Sequence, residues 1–143
     1  MQLNPKIWGP KYWFFLYTTA LTYPNNPNEI TKKKYYDFIQ NLPLFIPDSE
    51  IGNNFSIFLD KYPVSPYLDS RESFIKWVHF IHNKINIYLG KKELSYYDAM
   101  NTYYYHYEEK KIKIKDEKKN KHKYIFCSII ASLIIIIIIM YKS

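Results

Sequence analysis

The sequence predicts an all-α protein: a four-helix bundle plus a short fifth helix, followed by a C-terminal transmembrane helix. Three observations support this fold class. Apolar residues recur at spacings of three and four along most of the first 107 residues, which places them on one face of each helix. No stretch shows the alternating period of a strand. An uncharged apolar run near the C-terminus is long enough to cross a bilayer.

The first two helices are separated by a proline-containing loop. Helical spacing predicts the first helix over roughly residues 10–23, where Tyr23-Pro24 ends the pattern. A second helix is expected to begin near Glu29 and to end at Pro43. Because the residue before a proline is disfavoured in the helical conformation, we expect an extended connection from Pro43 to Pro47.

The third and fourth helices have clear start and stop signals. Asp48 is placed to cap the third helix, which ends before Tyr62-Pro63. Ser70 opens the fourth helix, and Gly90 is placed to cap its end. One continuous apolar stripe predicts that this fourth helix is central. The stripe consists of Phe74, Trp77, Val78, Ile81, Ile85, Tyr88 and Leu89.

A short fifth helix completes the predicted helical domain. Ser95 and Asp98 fit a capping box, and apolar residues follow on one side as far as Tyr107. We therefore divide the chain into a helical domain at 1–109, a basic juxtamembrane stalk at 110–123 and a transmembrane helix at 124–141.

The apolar run from Tyr124 to Tyr141 has 18 residues without a charge. At the helical rise it spans about 27 Å of hydrocarbon. The alternative, a buried core helix, would require a polar face, and the last two turns of the run have none. The N-terminal sequence has no signal-peptide pattern, so we expect a tail-anchored protein that is inserted after translation.

The basic charge is concentrated beside this run. Of the net charge of +7, residues 1–109 contribute nothing, because 11 basic side chains balance 11 acidic ones. Residues 110–123 hold eight lysines against Asp116 and Glu117. This asymmetry favours a cytoplasmic N-terminal domain and attraction to anionic lipid head groups, and it argues against a nucleic-acid partner.

The motifs of the helical domain resemble those of the Erv/ALR family of FAD-linked sulfhydryl oxidases over roughly residues 5–107. The specific part is W-x4-HN-x-[VI]-N-x2-LGK, which runs from Trp77 to Lys91 in the fourth helix and just beyond it. The N-terminal Trp8-Gly9-Pro10, followed by Trp13 and Leu16, has the family's order but is weaker alone.

The resemblance implies FAD as the cofactor, held between flat aromatic walls and a few hydrogen-bond donors. The expected cofactor-binding residues are Trp8, Gly9, Trp13, Tyr17, Trp77, His82, Asn83, Asn86 and Lys91. Of these, Lys91 is suited to the charge of a pyrophosphate. The alternative is that the tryptophans and histidines only form core and helix surface. His79, His82 and His106 lack the carboxylate or thiolate partners of a structural zinc site, so no metal is expected.

The family's redox Cys-x-x-Cys pair is missing from this sequence. Asp48 and Ile51 occupy its two positions, so no catalytic residue is assigned. The second disulfide is also lost, since His79 and Tyr96 stand at its two positions. The one cysteine of the chain is Cys127, inside the apolar run. A single thiol cannot cycle through an intramolecular disulfide, so we expect no competent dithiol oxidase.

Two further family positions differ, because Tyr17 and Asn54 stand where the family commonly has histidine. The resulting hypothesis is a membrane-anchored, catalytically degenerate relative that acts as a scaffold or partner in a disulfide-forming pathway. The resemblance implies a homodimer or a heterodimer with an active relative, with a redox protein as a possible partner. The composition and the anchor are compatible with a large DNA virus and a host or virion membrane. Two alternatives stay open: an active flavin-dependent thiol oxidase that uses a partner's cysteines, and a cofactor-free membrane interaction module.

Overall fold

The structure is a computed structural model that describes residues 3–142, and the side chains of all of these except 109–114 and 142. The described residues form α-helices and two 3₁₀ turns, with no strand among them, which confirms the all-α fold class. The α-helices are α1 (Pro5–Leu21), α2 (Glu29–Asn41), α3 (Ser49–Lys61), α4 (Arg71–Tyr88) and α5 (Tyr96–Lys142). The 3₁₀ turns are Leu42–Phe45 and Ser65–Tyr67.

Helix α1 begins five residues before the predicted start at residue 10, so that boundary was wrong. Asn4 caps the helix by accepting a hydrogen bond from the Lys6 backbone N–H at 3.0 Å, and Pro5 occupies a position where its missing N–H costs nothing. Pro10 lies inside the helix and removes one backbone hydrogen bond. Gly9 precedes it, and a residue without Cβ avoids the clash that disfavours helical backbone before proline.

The connection between α2 and α3 is a 3₁₀ turn over Leu42–Phe45 followed by Ile46 and Pro47, whereas the sequence predicted an extended exit. Pro43 sits at the start of this turn, where its fixed φ suits a helical conformation. The turn packs closely on α3, because a Cβ added to Gly52 would lie 2.9 Å from the Pro43 carbonyl oxygen. Asp48 caps α3 as predicted, through its Oδ1 and the backbone N–H groups of Glu50 and Ile51.

The first compact unit ends at Met100, and α4 lies at its centre, in contact with α1 and α3. The buried side of α4 includes five residues of the predicted apolar stripe, namely Phe74, Trp77, Val78, Ile81 and Ile85. The end of the stripe was wrong, because Tyr88 is only partly buried and Leu89, which follows α4, is 36% exposed. The largest fully buried side chains of the core are Trp77, Tyr23, Phe74, Ile39, Leu59, Leu68, Ile81, Val64 and Val78. Gly90 follows α4 with a φ of +68°, the left-handed conformation that ends helices at glycine.

The second compact unit begins at Asn101 and contains most of α5. The helix runs without a break through the predicted fifth helix, the basic stalk and the apolar run, so the fifth helix does not end near Tyr107. Within it, Lys115–Tyr141 is long and apolar enough to cross a membrane, and the mean hydropathy of its apolar 18-residue window is 2.7. The hydroxyls of Ser128 and Ser132 donate to carbonyls of the preceding turn, which satisfies them inside an apolar helix.

Candidate functional site

The packing of α1 against α4 brings Trp13, Tyr17 and His82 together. The His82 imidazole stacks on the Trp13 indole, with 4.0 Å between ring centroids and 19° between ring planes. Tyr17 lies one turn after Trp13 on the same side of α1. Its hydroxyl oxygen is 3.3 Å from Nδ1 of His82. These three predicted cofactor-binding residues therefore form one contiguous aromatic group.

The environment keeps both titratable members of this group neutral near pH 7. Burial lowers the pKa of His82 to about 4, and the positive potential of His79 and Lys91 acts in the same direction. Tyr17 is only 3% exposed, and this burial raises its pKa well above the usual range of a phenol. The imidazole is therefore uncharged, and the phenol keeps its proton.

Helix α3 reaches the same group through Phe55, whose ring centroid lies 6.5 Å from that of Trp13. Ile51 precedes Phe55 by one turn on the buried side of α3 and is 8% exposed. Asp48 is occupied as the helix cap, with Oδ1 accepting two backbone N–H groups at 3.0 Å each. Asp48 and Ile51, which are predicted to stand at the redox cysteine positions, thus have structural contacts and no thiol chemistry.

Asn83 is held by the segment that follows α4. Its amide donates to the Leu94 carbonyl oxygen at 2.9 Å and accepts from the Leu94 backbone N–H at 2.9 Å. His79, one turn earlier on α4, hydrogen-bonds the same carbonyl oxygen through Nε2 at 2.9 Å. These hydrogen bonds to Leu94 were not predicted from the sequence. Their signal in the sequence is the spacing of His79 and Asn83, two polar residues four apart on α4.

Three further predicted cofactor-binding residues are Trp77 and Asn86 on α4 and Lys91 just after it. Trp77 is 2% exposed, donates from Nε1 to the Tyr62 carbonyl oxygen at 3.1 Å and stacks on Phe74. The Asn86 carbonyl oxygen accepts from the Lys91 backbone N–H at 2.8 Å, which fixes the chain after Gly90. Trp77 is therefore part of the core, whereas the Lys91 side chain is exposed.

Trp8 and Gly9 lie near the start of α1. The Trp8 ring meets Tyr12 edge-on at 5.3 Å, and its Nε1 donates to the Leu3 carbonyl oxygen at 3.3 Å. Tyr12 in turn donates to the Phe45 carbonyl oxygen at 2.6 Å and so ties α1 to the 3₁₀ turn before α3. A Cβ on Gly9 would meet no atom within 4 Å, so the close packing of the protein does not require a glycine there.

The arrangement suits a flat, anionic aromatic cofactor better than a metal ion. A stacked indole and imidazole form a rigid aromatic wall, a phenol hydrogen bond fixes the imidazole, and Lys91 adds a positive charge nearby. Across the described part of the chain, no three His, Cys, Asp or Glu side chains are grouped so that they could hold a metal ion. A flavin dinucleotide fits this donor set, and the assignment of individual binding residues stays a prediction.

Comparisons with other proteins agree with the fold and the motifs. The "Probable FAD-linked sulfhydryl oxidase R368" of Acanthamoeba polyphaga mimivirus is 39% identical over 99 residues, which cover 68% of this chain and 69% of that protein. The "Mitochondrial FAD-linked sulfhydryl oxidase erv1" of Schizosaccharomyces pombe is 35% identical over 83 residues, or 58% of this chain. That match spans 46% of the Schizosaccharomyces pombe protein, less than half of its length.

Solved structures share the helical arrangement. The yeast Erv1 core has a TM-score of 0.64 at 22% identity, over 71% of this chain and 84% of that one. The FAD binding domain of Erv1 from Saccharomyces cerevisiae has a TM-score of 0.61 at 24% identity, over 65% of this chain and 87% of that one. The model of the Erv1 / Alr family matches residues 10–109, well over half of the chain. The chain therefore belongs to the Erv1/Alr family.

Proposed function

We propose that this protein is a membrane-anchored flavoprotein that binds FAD but does not oxidise dithiols by itself. The observation that carries the proposal is the state of α3, where Asp48 caps the helix and Ile51 is buried at the two positions of the family's redox cysteines. The helical fold and the aromatic group beside α3 are present, and the thiols are not.

Binding of FAD is supported by the names of the relatives and by the local chemistry. Both cited relatives are called FAD-linked, and one structural neighbour is an FAD binding domain. In this chain, Trp13 and His82 would provide an aromatic wall, and Lys91 would balance phosphate charge. Bound FAD supplies the capacity to accept two electrons and pass them to oxygen.

The loss of dithiol oxidation follows from electron counting. Forming one disulfide removes two electrons and two protons from two thiols, and a protein that takes them up by thiol–disulfide exchange needs a cysteine pair of its own. Cys127 is the one cysteine in the chain, and it lies within the uncharged apolar run at 124–141. Asp48 and Ile51 cannot form a mixed disulfide, so the internal route from substrate thiol to flavin is absent.

A protein that keeps the fold without the thiols is suited to a scaffold or regulatory role. We infer that it pairs with another copy or with an active relative, or contacts a redox protein that supplies the cysteines. The apolar segment of α5 would hold it on a membrane. The eight lysines at 110–123 favour a cytoplasmic position for the helical domain and contact with anionic lipids.

Flavin absorbance of the full chain, purified in mild detergent, tests the cofactor. The expected result is a visible flavin band that stays with the protein on gel filtration. Trp13→Leu should lose most of it, because leucine fills space but offers no aromatic face. Phe15→Leu, on the exposed side of the same helix, is the matched control and should keep the band. A colourless wild-type protein would contradict FAD binding and favour a cofactor-free membrane interaction module.

A further inference from the structure

The hydrogen bond between Tyr17 and His82 leaves two proton arrangements open. The phenol can donate to Nδ1 of the imidazole, or Nδ1 can carry the proton and donate to the phenol oxygen. A phenol O–H is a stronger acid than a neutral imidazole N–H, and an imidazole nitrogen is a stronger base than a phenol oxygen. The pairing of the better donor with the better acceptor places the proton on the Tyr17 oxygen and leaves Nδ1 as the acceptor.

This arrangement determines which nitrogen of His82 carries its single proton. Burial keeps the imidazole neutral near pH 7, so one nitrogen must be protonated and the other bare. With Nδ1 accepting from Tyr17, the proton lies on Nε2. The ring cannot easily turn over to exchange the two nitrogens, because it is stacked on Trp13 at 4.0 Å and held at one edge by Tyr17.

The second nitrogen of His82, Nε2, has no partner within the described protein and is not closed off from solvent. No group among the described residues hydrogen-bonds Nε2 of His82, and no polar side-chain atom among them is both cut off from solvent and unpartnered. Nε2 therefore reaches solvent, on a ring that is otherwise largely buried and fixed. An N–H on a ring held in place by its neighbours, and still open to solvent, is a preorganised donor for a ligand acceptor.

We propose that Tyr17 is a positioning residue that donates to Nδ1 of His82 and so keeps the imidazole proton on Nε2, where it is available to an acceptor atom of bound FAD. This rests on the proposed FAD binding. Tyr17 replaces the histidine that the family commonly has at this position, so the proton arrangement is a property of this chain. A histidine there would itself be able to switch between donor and acceptor, whereas a protonated phenol with raised pKa stays a donor to nitrogen.

Nitrogen NMR of the imidazole rings tests the proposal without depending on FAD. The full chain is labelled at histidine, held in detergent near pH 7, and the His82 signals are identified by their loss in His82→Asn. The expected wild-type spectrum has a protonated Nε2 and a bare Nδ1. Tyr17→Phe keeps the ring in the core but removes the hydroxyl, and it should give a mixture of both tautomers.

Tyr23→Phe is the matched control, since it also deletes a buried phenol hydroxyl, one that donates to the Leu68 carbonyl oxygen at 2.7 Å. It should destabilise the protein to a similar degree and leave the His82 signals unchanged. FAD affinity provides a second readout, and Tyr17→Phe should weaken it about five-fold, the effect of roughly one net hydrogen bond. Tyr23→Phe should leave FAD affinity unchanged.

A wild-type His82 protonated on Nδ1, or an unchanged tautomer in Tyr17→Phe, would overturn the positioning role. A wild-type chain that shows the predicted tautomer but binds no FAD would contradict FAD as the ligand, and with it the proposed function. The same result would still support the role of Tyr17 in selecting the tautomer. The two failures are thus separated by the two readouts.

Discussion

The protonation state of His82 is set by its neighbours. On a solvated helix its pKa would lie near 6.5. Between Trp13 and Tyr17 the ring is desolvated, and its pKa falls to about 4. The residue is therefore a neutral hydrogen-bonding group over the whole physiological range, which suits it to hold a cofactor rather than to act as a pH-sensitive switch.

The stability of the protein should consequently fall in acid in a way that depends on His82. Because the folded-state pKa is depressed, the unfolded chain binds a proton between pH 6.5 and about 4 that the folded protein does not. The contribution of neutral His82 to the free energy of unfolding is complete above pH 6.5. It is lost as the pH falls towards 4, and below that pH the stability no longer changes because of His82. The maximum contribution is about 3 kcal/mol.

Urea unfolding followed by tryptophan fluorescence measures this effect, since Trp8, Trp13 and Trp77 all lie in the first compact unit. His82→Asn removes the titration, so its stability should decline less steeply than that of the wild type between pH 6.5 and 4. Parallel curves for the two proteins would show that His82 is not held neutral by burial.

Among the helices, capping residues and prolines explain which helix starts were predicted correctly and which one was wrong. Asp48 and Ser70 accept backbone N–H groups at the starts of α3 and α4, as their positions in the sequence predict. The start of α1 was missed because Pro10 looks like a helix boundary, although Asn4 caps an earlier one. Pro10 is the sixth residue of α1 and removes a backbone hydrogen bond there, whereas Asn4 and Pro5 are the cap and first residue that mark the true start.

Only part of the candidate site could be predicted from the sequence, because spacing places residues on one side of a helix but does not show which helices pack together. The spacing of Trp13 and Tyr17 puts them on one side of α1, and the motif marks His82, but only the packing of α1 on α4 makes them touch. The hydrogen bonds between Asn83 and Leu94 depend on the path of the chain after Gly90. No local pattern in the sequence fixes that path, so these hydrogen bonds were not predicted.

The close approach of α3 to the 3₁₀ turn makes Gly52 a sensitive position. In Gly52→Ala the new methyl group would lie 2.9 Å from the Pro43 carbonyl oxygen, so the backbone must shift. The expected loss of unfolding free energy is about 1–3 kcal/mol, as for other overpacked sites. Urea unfolding measures it. Asn53→Ala, exposed on the same helix, should change stability by less than about 0.5 kcal/mol. Equal stability of the two variants would contradict this contact.

At the scale of the whole molecule, charge and hydropathy are divided between the two parts of the chain. The helical domain is electrically balanced, whereas the excess of lysine lies at 110–123, beside the apolar segment. α5 carries both features, and Lys115–Tyr141 has the length and composition of a membrane span. This distribution is typical of a domain held at a membrane surface.

A charge near the middle of the apolar run should impair anchoring. Ile134→Arg is expected to cost about 2.5–3.5 kcal/mol for insertion, whereas Ile134→Leu should behave as the wild type. Extraction of cell membranes with alkaline carbonate measures the effect, and the arginine variant should shift towards the soluble fraction. Release of the wild-type protein by carbonate would contradict a membrane-spanning role for α5.

The proposed loss of dithiol oxidation is tested by oxygen consumption with dithiothreitol by the FAD-loaded full chain, compared with free FAD at the same concentration. The wild type should not exceed the free-FAD rate, since it has no cysteine pair beside the flavin. The Asp48→Cys/Ile51→Cys variant, whose positions are one helical turn apart and close enough for a disulfide, should gain activity. Oxygen consumption by the wild type well above free FAD would contradict the central claim.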